Sequence, residues 1–174
     1  MNFEEQIRKS GFSCQLCGAC CSGPDNEVMV SPEEIELLQK ETRLSFEEIA
    51  EPYPEWFEKG GETFTFGWVL RRGEDGNCLF LKNKRCSVYA VRPHICRTYP
   101  FMLDSDNLII SECDAVTGTC PCPNTELLVS SLLERRDAED LEFLKTKEQY
   151  QKHSIKSGAI LVFDSRGAHP WLKK

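Results

Sequence analysis

Apolar residues recur every three or four positions in the run that follows Ser31, which is the spacing of an amphipathic helix. Ser31 suits the N-cap, Pro32 the first helical position, and Glu34 the partner position of a capping box. Ser45 and Glu48 repeat this signature, and two prolines follow shortly afterwards. The pattern predicts two consecutive short helices.

The middle of the chain changes to the alternating pattern of a half-buried strand. Within residues 62–71, Phe64, Phe66 and Trp68 alternate with smaller or polar residues. Glycine, aspartate and asparagine then form a turn. We expect further strands at residues 78–81 and 108–110, with turns at 83–84 and 106–107. These segments predict a small antiparallel sheet.

The chain after Pro123 has a helical pattern rich in leucine. Asn124 suits the N-cap, and the apolar spacing carries the helix to about His153. We interpret this helix mainly as a cover for the sheet, with a docking surface as the alternative. The apolar run at residues 159–163 predicts an edge or terminal strand.

These elements predict one α+β fold, in which a small antiparallel sheet and short helices are organised around a cysteine-ligated metal centre. The chain has 174 residues, of which 40% are apolar and 28% charged, as in ordinary folded proteins. Residues 1–123 are expected to form the metal-binding domain. Residues 124–174 are expected to form a helical extension and a terminal strand packed on that same domain.

The charge balance narrows the range of partners. The chain carries 21 basic and 28 acidic residues, a net charge of −7, and it has no basic tract. A surface that binds nucleic acid is therefore not expected. Neither a secretion signal nor a membrane-length apolar run is evident, so we expect a cytoplasmic protein that does not enter the membrane.

The cysteine content is the unusual feature, because ten cysteines are many for a chain of this size. Disulfides do not persist in a reducing compartment, so clustered cysteines there are more often metal ligands or redox thiols. The cysteines lie at positions 14, 17, 20, 21, 78, 86, 96, 113, 120 and 122.

The first cluster runs from Cys14 to Cys21 with successive two-residue gaps. Such a knuckle directs sulfurs at one metal, and Gly18 allows the chain to turn where a side chain would crowd it. The spacing suits zinc and also an iron-sulfur cluster. Side chains of the adjacent pair Cys20 and Cys21 are expected to diverge, so that one of them serves a second site.

The later cysteines supply enough further thiols for two four-thiolate sites. Each site would carry a net charge of about −2 with a zinc ion or a dicationic four-iron cluster. Arg92 and Arg97 could supply compensating charge, or they could form surface salt bridges. Cys120 and Cys122 are either ordinary loop thiols or they take part in ligation or redox chemistry.

Several separated motifs carry a family resemblance. The strings CQLCGACC, CLFL, CSVY and RPHICRTYPF occur in this order between residues 14 and 101. The chain resembles the zinc- or iron-chelating CxxCxxCC family, the YkgJ-like cysteine-cluster proteins, over about residues 12–122. The resemblance implies a metal-binding domain with these expected ligands: Cys14, Cys17, Cys20, Cys21, Cys78, Cys86, Cys96 and Cys113.

The expected function is metal binding, with one or two iron-sulfur clusters of the 4Fe-4S type or with zinc. The protein is expected to act in electron transfer, metal handling or assembly of a larger enzyme, and to bind a protein partner. The resemblance leaves two alternatives open. One is a cluster-dependent enzyme, such as a flagellin lysine N-methylase-like protein or an iron-sulfur oxidoreductase, and the other is a structural zinc module.

Other catalytic signatures are absent from the sequence. It contains no phosphate-binding loop, no dinucleotide fingerprint and no zinc-protease motif. Of the three histidines, His94 lies two residues before Cys96, where it could bind the metal or a ligand sulfur, although an ordinary loop position is favoured. His153 and His169 are interpreted as surface residues.

Overall fold

The computed structural model describes residues 2–23, 26–105, 107–119 and 121–172. It contains helices and small sheets, so the predicted α+β class is confirmed. The chain divides into two compact units, each built from two separate segments. Unit 1 comprises Met1–Ser22 and Phe80–Ala138, and unit 2 comprises Gly23–Leu79 and Glu139–Lys174. The predicted domain boundary at residue 123 stays a prediction.

The first three helices begin where the sequence places capping residues. Helix α1 spans Phe3–Lys9 in unit 1. Helices α2 (Pro32–Thr42) and α3 (Phe46–Ile49) follow in unit 2, and both carry complete capping boxes. The Ser31 and Ser45 hydroxyls accept hydrogen bonds from the third helical residue, whose carboxylate accepts one from the cap. Both helix predictions are confirmed.

The predicted strand at residues 62–71 is two strands, because the chain turns at Gly67. Gly67 has a φ of 77°, a left-handed conformation that favours glycine. Strands β4 (Glu62–Phe66) and β5 (Trp68–Leu70) therefore enter different sheets of unit 2. Strand β5 pairs antiparallel with β1 (Met29–Val30) and with β2 (Ala50–Pro52).

The second sheet of unit 2 has four strands, in the order β11 (Gly167–Pro170), β10 (Ile160–Asp164), β4 and β3 (Phe57–Lys59). The expectation that residues 159–163 form an edge or terminal strand is wrong, because β10 lies inside this sheet and pairs parallel with β4. Its side chains are buried on both faces, as an interior strand of a parallel pair requires.

Aromatic rings fill the core of unit 2 against this sheet. Phe64, Leu161 and Phe163 are buried, and Phe66 and Tyr150 pack against them. The Phe64 and Phe163 rings meet edge to face with centroids 5.9 Å apart. Such pairs add stabilisation beyond the area they bury.

Unit 1 contains very short strands joined by longer loops. Two antiparallel hairpins form, and the turn predicted at residues 83–84 is confirmed in the first. The predicted strand at 78–81 is shorter than expected, since only its last residue enters a strand, β6 (Leu81–Lys82). The elements are a 3-10 turn at Ala19–Cys21, β6 (Leu81–Lys82), β7 (Arg85–Cys86), a 3-10 turn at Tyr89–Val91, α4 (His94–Thr98), β8 (Phe101–Asp104) and β9 (Asn107–Ile110).

Residues from loops and helices contribute as much to the core of unit 1 as residues from strands do. Ile7, Phe12 and Phe101 are buried together, with the Phe12 and Phe101 rings edge to face at 5.4 Å. Leu128 and Leu132 complete this core from the last helix.

The last helix, α5, spans Thr125–Lys152 without a break and confirms the helix predicted after Pro123. Its first turns contribute to the core of unit 1, and Tyr150 near its end packs on the sheet of unit 2. Between them, Leu141, Phe143 and Leu144 are exposed to solvent. The helix thus packs at both ends through part of its surface and exposes these three apolar side chains. Within the described residues, no helix combines the length and apolar character of a membrane span.

Candidate metal centre

The first cysteine cluster lies beside the segment that follows Cys113. The Gly118 amide donates to the Ser10 carbonyl at 2.8 Å, and the Ser13 amide donates to the Ala115 carbonyl at 3.4 Å. These backbone bonds join two parts of unit 1 that are about a hundred residues apart in sequence. They bring the start of the cysteine loop next to Cys113.

Gly18 shapes the cysteine loop. Its φ of 76° lies in the left-handed region, and its carbonyl accepts from the Cys21 amide at 2.9 Å. A Cβ atom at this position would lie 2.7 Å from the Lys84 carbonyl oxygen and 2.9 Å from Leu81 Cδ1. Only glycine therefore allows the loop to pack against the β6–β7 hairpin, which carries Cys86.

Three cysteines of the first cluster lie close enough to Cys113 to affect its titration. Burial raises the pKa of the Cys113 thiol, a backbone hydrogen bond from Ala115 lowers it, and the nearby thiols of the first cluster raise it further. Those three are Cys14, Cys17 and Cys20. We call these four residues the thiol group: Cys14, Cys17, Cys20 and Cys113. A bound cation would draw these thiols into their charged thiolate form.

Two phenols lie next to the thiol group. Burial raises the pKa of Tyr89, and two members of the thiol group raise it further, against the opposing charge of Arg92. Burial likewise raises the pKa of Tyr99, and three members of the thiol group add to that rise. The Tyr99 hydroxyl donates to the Glu112 carbonyl. Tyr89 and Tyr99 therefore lie beside the thiols.

Arg92 supplies positive charge near these phenols. Its guanidinium lies 3.7 Å from the centre of the Tyr89 ring and donates to the Tyr89 carbonyl at 2.6 Å. Arg97 donates from Nε to the Arg92 carbonyl at 2.7 Å. In the part of the chain that the structure describes, neither arginine forms an ion pair, so the salt-bridge alternative is not observed.

The other expected ligands lie outside the thiol group. The Cys20 and Cys21 sulfurs are 3.9 Å apart, so the expected divergence of their side chains is not observed. Cys86 lies on β7, and Cys96 lies in α4, whereas Cys78 is buried in unit 2.

The two cysteines near the end of the family motif have separate outcomes. Cys122 is buried in the core of unit 1, a position that favours the ordinary thiol among the two alternatives. Cys120 lies outside the described residues.

The predicted cysteine-ligated metal centre is not seen as an assembled site. Among residues 2–23, 26–105, 107–119 and 121–172, no three His, Cys, Asp or Glu side chains are arranged to hold a metal ion. The thiols of the thiol group interact across space without reaching that arrangement. Their chemistry still fits a thiophilic metal or cluster, because four sulfurs are the donor set of both zinc and iron-sulfur sites.

The described histidines of unit 2 are not free surface residues, contrary to the sequence interpretation. His169 Nε2 lies 2.8 Å from Asp164 Oδ1, and His153 Nε2 lies 2.8 Å from Glu62 Oε2. Both carboxylates are buried, at 2% and 1% exposure. Trp68 also donates to Asp164 at 2.8 Å. Local sequence carries little signal of these pairs, because each histidine meets its acid only after the sheet has formed.

A family model described as "Putative zinc- or iron-chelating domain", named CxxCxxCC, matches residues 13–121. The match covers more than half of the chain, so the protein belongs to the CxxCxxCC family, as the motifs indicated. Metal binding is thereby supported in general terms, whereas the metal itself is not determined.

An uncharacterized protein of Methanocaldococcus jannaschii is 27% identical over 110 residues. The alignment covers 62% of this chain and 54% of that protein, so the chain spans about half of the relative's length. No solved structure matches the chain.

Proposed function

We propose that the thiol group binds an iron-sulfur cluster and that the protein acts in electron transfer, metal handling or assembly of a larger enzyme, together with a protein partner. The observation that supports this most directly is the proximity of four thiols drawn from two distant segments, which backbone hydrogen bonds from Ser13 to Ala115 and from Gly118 to Ser10 hold together. Membership of a zinc- or iron-chelating family adds support. Four thiolates are the usual ligand set of an iron-sulfur cluster.

The exposure of the thiols favours a cluster that exchanges electrons. Cys14, Cys17 and Cys20 are exposed, whereas Cys113 is half-buried. A cluster held there would lie near the surface, within reach of a redox partner. Solvent exposure, net charge and hydrogen bonds near the sulfurs are also the features that set a cluster's reduction potential.

The surrounding residues have separate roles in this proposal. The four thiolates bind iron, and Gly18 holds the loop that presents three of them. Arg92 offsets part of the negative charge from its place over the Tyr89 ring. The bound cluster would supply a one-electron acceptor. Three further cysteines of unit 1 are proposed as additional ligands: Cys86, Cys96 and Cys21, whose sulfur lies 3.9 Å from that of Cys20.

The first experiment is analysis of iron, zinc and acid-labile sulfide in protein purified without oxygen, with an absorption spectrum. Iron and sulfide in near-equal amounts, with broad absorption near ~400 nm, are expected. Zinc without sulfide would overturn the iron-sulfur proposal and leave a zinc module. Absence of both metals would contradict the proposed centre itself.

A pair of cysteine variants tests the location of the centre. Cys113→Ser should lower the metal content at least about tenfold, because serine is a much poorer ligand for these metals. Cys122→Ser is the matched control, since Cys122 lies in the apolar core. Equal metal loss in both variants, or no loss in Cys113→Ser, would contradict the assignment of Cys113.

A further inference from the structure

The part of α5 that belongs to unit 2 has one side fixed against the sheet. Glu142 Oε1 accepts from the Ser165 amide at 3.0 Å, and the Thr146 hydroxyl donates to the same carboxylate at 3.4 Å. One turn later, the Tyr150 ring meets the Phe163 ring edge to face with centroids 5.3 Å apart. These contacts identify the inner side of the helix, so the residues on the opposite side of the helix face solvent.

Four residues on the solvent side follow helical spacing at i, i+3, i+4 and i+7. Phe143 is 65% exposed and Leu144 60% exposed, and the neighbouring Leu141 adds to the same apolar patch. Asp140 and Lys147 flank the two central residues. Adjacent large apolar side chains on a surface helix mark an interaction site more often than scattered ones do. We call these four residues the outer face: Asp140, Phe143, Leu144 and Lys147.

The charges of the outer face suit a second copy of the same helix. Asp140 lies at one end and Lys147 at the other, and in the described part of the chain neither forms an ion pair. If two copies align antiparallel about an axis between Phe143 and Leu144, each Asp140 faces the Lys147 of the other copy. The same alignment places Phe143 of one copy against Leu144 of the other. The outer face is therefore complementary to itself.

A parallel arrangement of the two helices lacks this pairing of opposite charges. Parallel helices in register would place Asp140 against Asp140 and Lys147 against Lys147, and like charges repel. The net charge of −7 also opposes association in general. Local pairs of opposite sign are therefore needed to hold two copies together, and the antiparallel arrangement supplies two such pairs.

We propose that a second copy of this chain docks on the outer face and forms a twofold-symmetric, antiparallel helix pair. An interface of this kind uses the same patch on both chains and closes at two copies. Two helical turns bury less than the roughly 800 Å² per partner of a standard stable interface. The dimer is accordingly weak and reversible.

Sedimentation of the metal-loaded 174-residue chain between about 10 μM and 1 mM measures the association. A reductant is present so that exposed thiols do not cross-link the chains. The expected result is a concentration-dependent rise towards twice the monomer mass, which weakens as salt screens the charges. A monomer throughout this range would overturn the proposal.

Substitution of Leu144 tests the apolar part of the interface. Leu144→Asp should abolish the rise in mass and leave the helix content unchanged by circular dichroism, because the side chain is exposed. Leu127→Asp is the matched control, since Leu127 is 67% exposed on the same helix and lies outside the outer face. Dimerisation that survives Leu144→Asp, or that Leu127→Asp abolishes equally, would contradict the assigned face.

A charge exchange tests the antiparallel alignment. Asp140→Lys and Lys147→Asp should each weaken self-association roughly tenfold, because each places two like-charged pairs in the interface. An equal mixture of the two variants should associate again, since each position 140 then faces a position 147 of opposite charge. The double variant should also recover, for the same reason. Failure of the mixture and of the double variant to recover would exclude this alignment.

Discussion

The two units of the chain are stabilised by different means. Unit 2 has a four-stranded sheet, an aromatic core and buried carboxylates with hydrogen-bonding partners. Unit 1 has strands of two to four residues, and it brings thiols from two distant segments close to one another. Side-chain packing completes the first arrangement, whereas the second assembles the donor set of a thiophilic metal. We therefore expect unit 1 to depend on a bound cation in a way that the packed sheet of unit 2 does not.

Removal of the metal should have the largest effect, and the two units should respond to it differently. Loss of a structural metal removes about 10 kcal/mol of binding free energy that is coupled to folding. After chelation, hydrogen exchange should accelerate roughly 100-fold in β6 to β9 of unit 1, whereas β4 and β10 of unit 2 should keep their protection. Mass spectrometry of exchanged peptides makes this measurement.

The same exchange pattern should arise in Cys113→Ser without any chelator. Equal loss of protection in both units after chelation would show that the contrast between them is wrong. Unchanged protection in both would show that unit 1 does not depend on the metal.

Asp164 provides the next largest effect, now in unit 2. Asp164→Ala leaves the Trp68 indole N–H and the Arg166 amide without their acceptor, at an expected cost of about 3 kcal/mol in unfolding free energy. Urea unfolding followed by tryptophan fluorescence measures the change. Glu74→Ala is the surface control, because Glu74 is exposed. A change below about 1 kcal/mol in Asp164→Ala would show that these hydrogen bonds add little.

Gly18→Ala should disturb unit 1 by a smaller amount. The left-handed φ costs alanine about 1 kcal/mol, and the contact with the Lys84 carbonyl adds to that cost. Gly118→Ala is the matched control, since its φ is 65° and no atom lies within 4 Å of its added Cβ. Metal content should fall in Gly18→Ala and remain in Gly118→Ala. Equal metal loss would attribute the effect to backbone strain alone.

The His169–Asp164 pair should give the smallest effect, a pH dependence of unit 2. The hydrogen bond to Asp164 raises the pKa of His169 although burial opposes this rise. The resulting stability is complete below the unfolded pKa of about 6.5 and is lost as the pH rises through the folded value. Because His169 is 41% exposed, the loss should stay below about 1 kcal/mol.

Unfolding free energies of the wild type and of His169→Gln between about pH 5.5 and pH 8.5 test this dependence. The wild type should lose stability over this range, and the variant should lose less. Asp164→Asn should also flatten the profile, because it removes the carboxylate. A wild-type slope that persists in both variants would assign the titration to other groups.

Asp164, the acid of this pair, makes stability depend on pH in the opposite direction at low pH. Burial alone would raise the pKa of Asp164, but hydrogen bonds from His169 and Trp68 outweigh burial and lower it. Its contribution is therefore present above the unfolded pKa of about 3.9 and is lost as the pH falls through the lower folded value.

Local signals in the sequence were sufficient for α2, α3 and α5 and for part of the sheet, whereas α1 and α4 were not predicted. The capping boxes at Ser31 and Ser45 act within four residues, so they define α2 and α3 without help from the rest of the chain. The break at Gly67 was missed because the alternating pattern continues through it, and only the pairing of β4 and β5 in separate sheets reveals it. The interior position of β10 likewise depends on a partner strand about a hundred residues away.

The sequence by itself determined the family, the starts of α2, α3 and α5 and the identity of the candidate ligands, because these reside in local spacing and residue type. Tertiary structure decided which thiols lie together, since backbone bonds between distant segments place Cys113 beside the first cluster. It also decided that His153 and His169 contact buried carboxylates. The exposure of Leu141, Phe143 and Leu144 on α5 was decided by the tertiary structure as well. Contacts between residues far apart in sequence form only when the chain folds, and local patterns do not encode them.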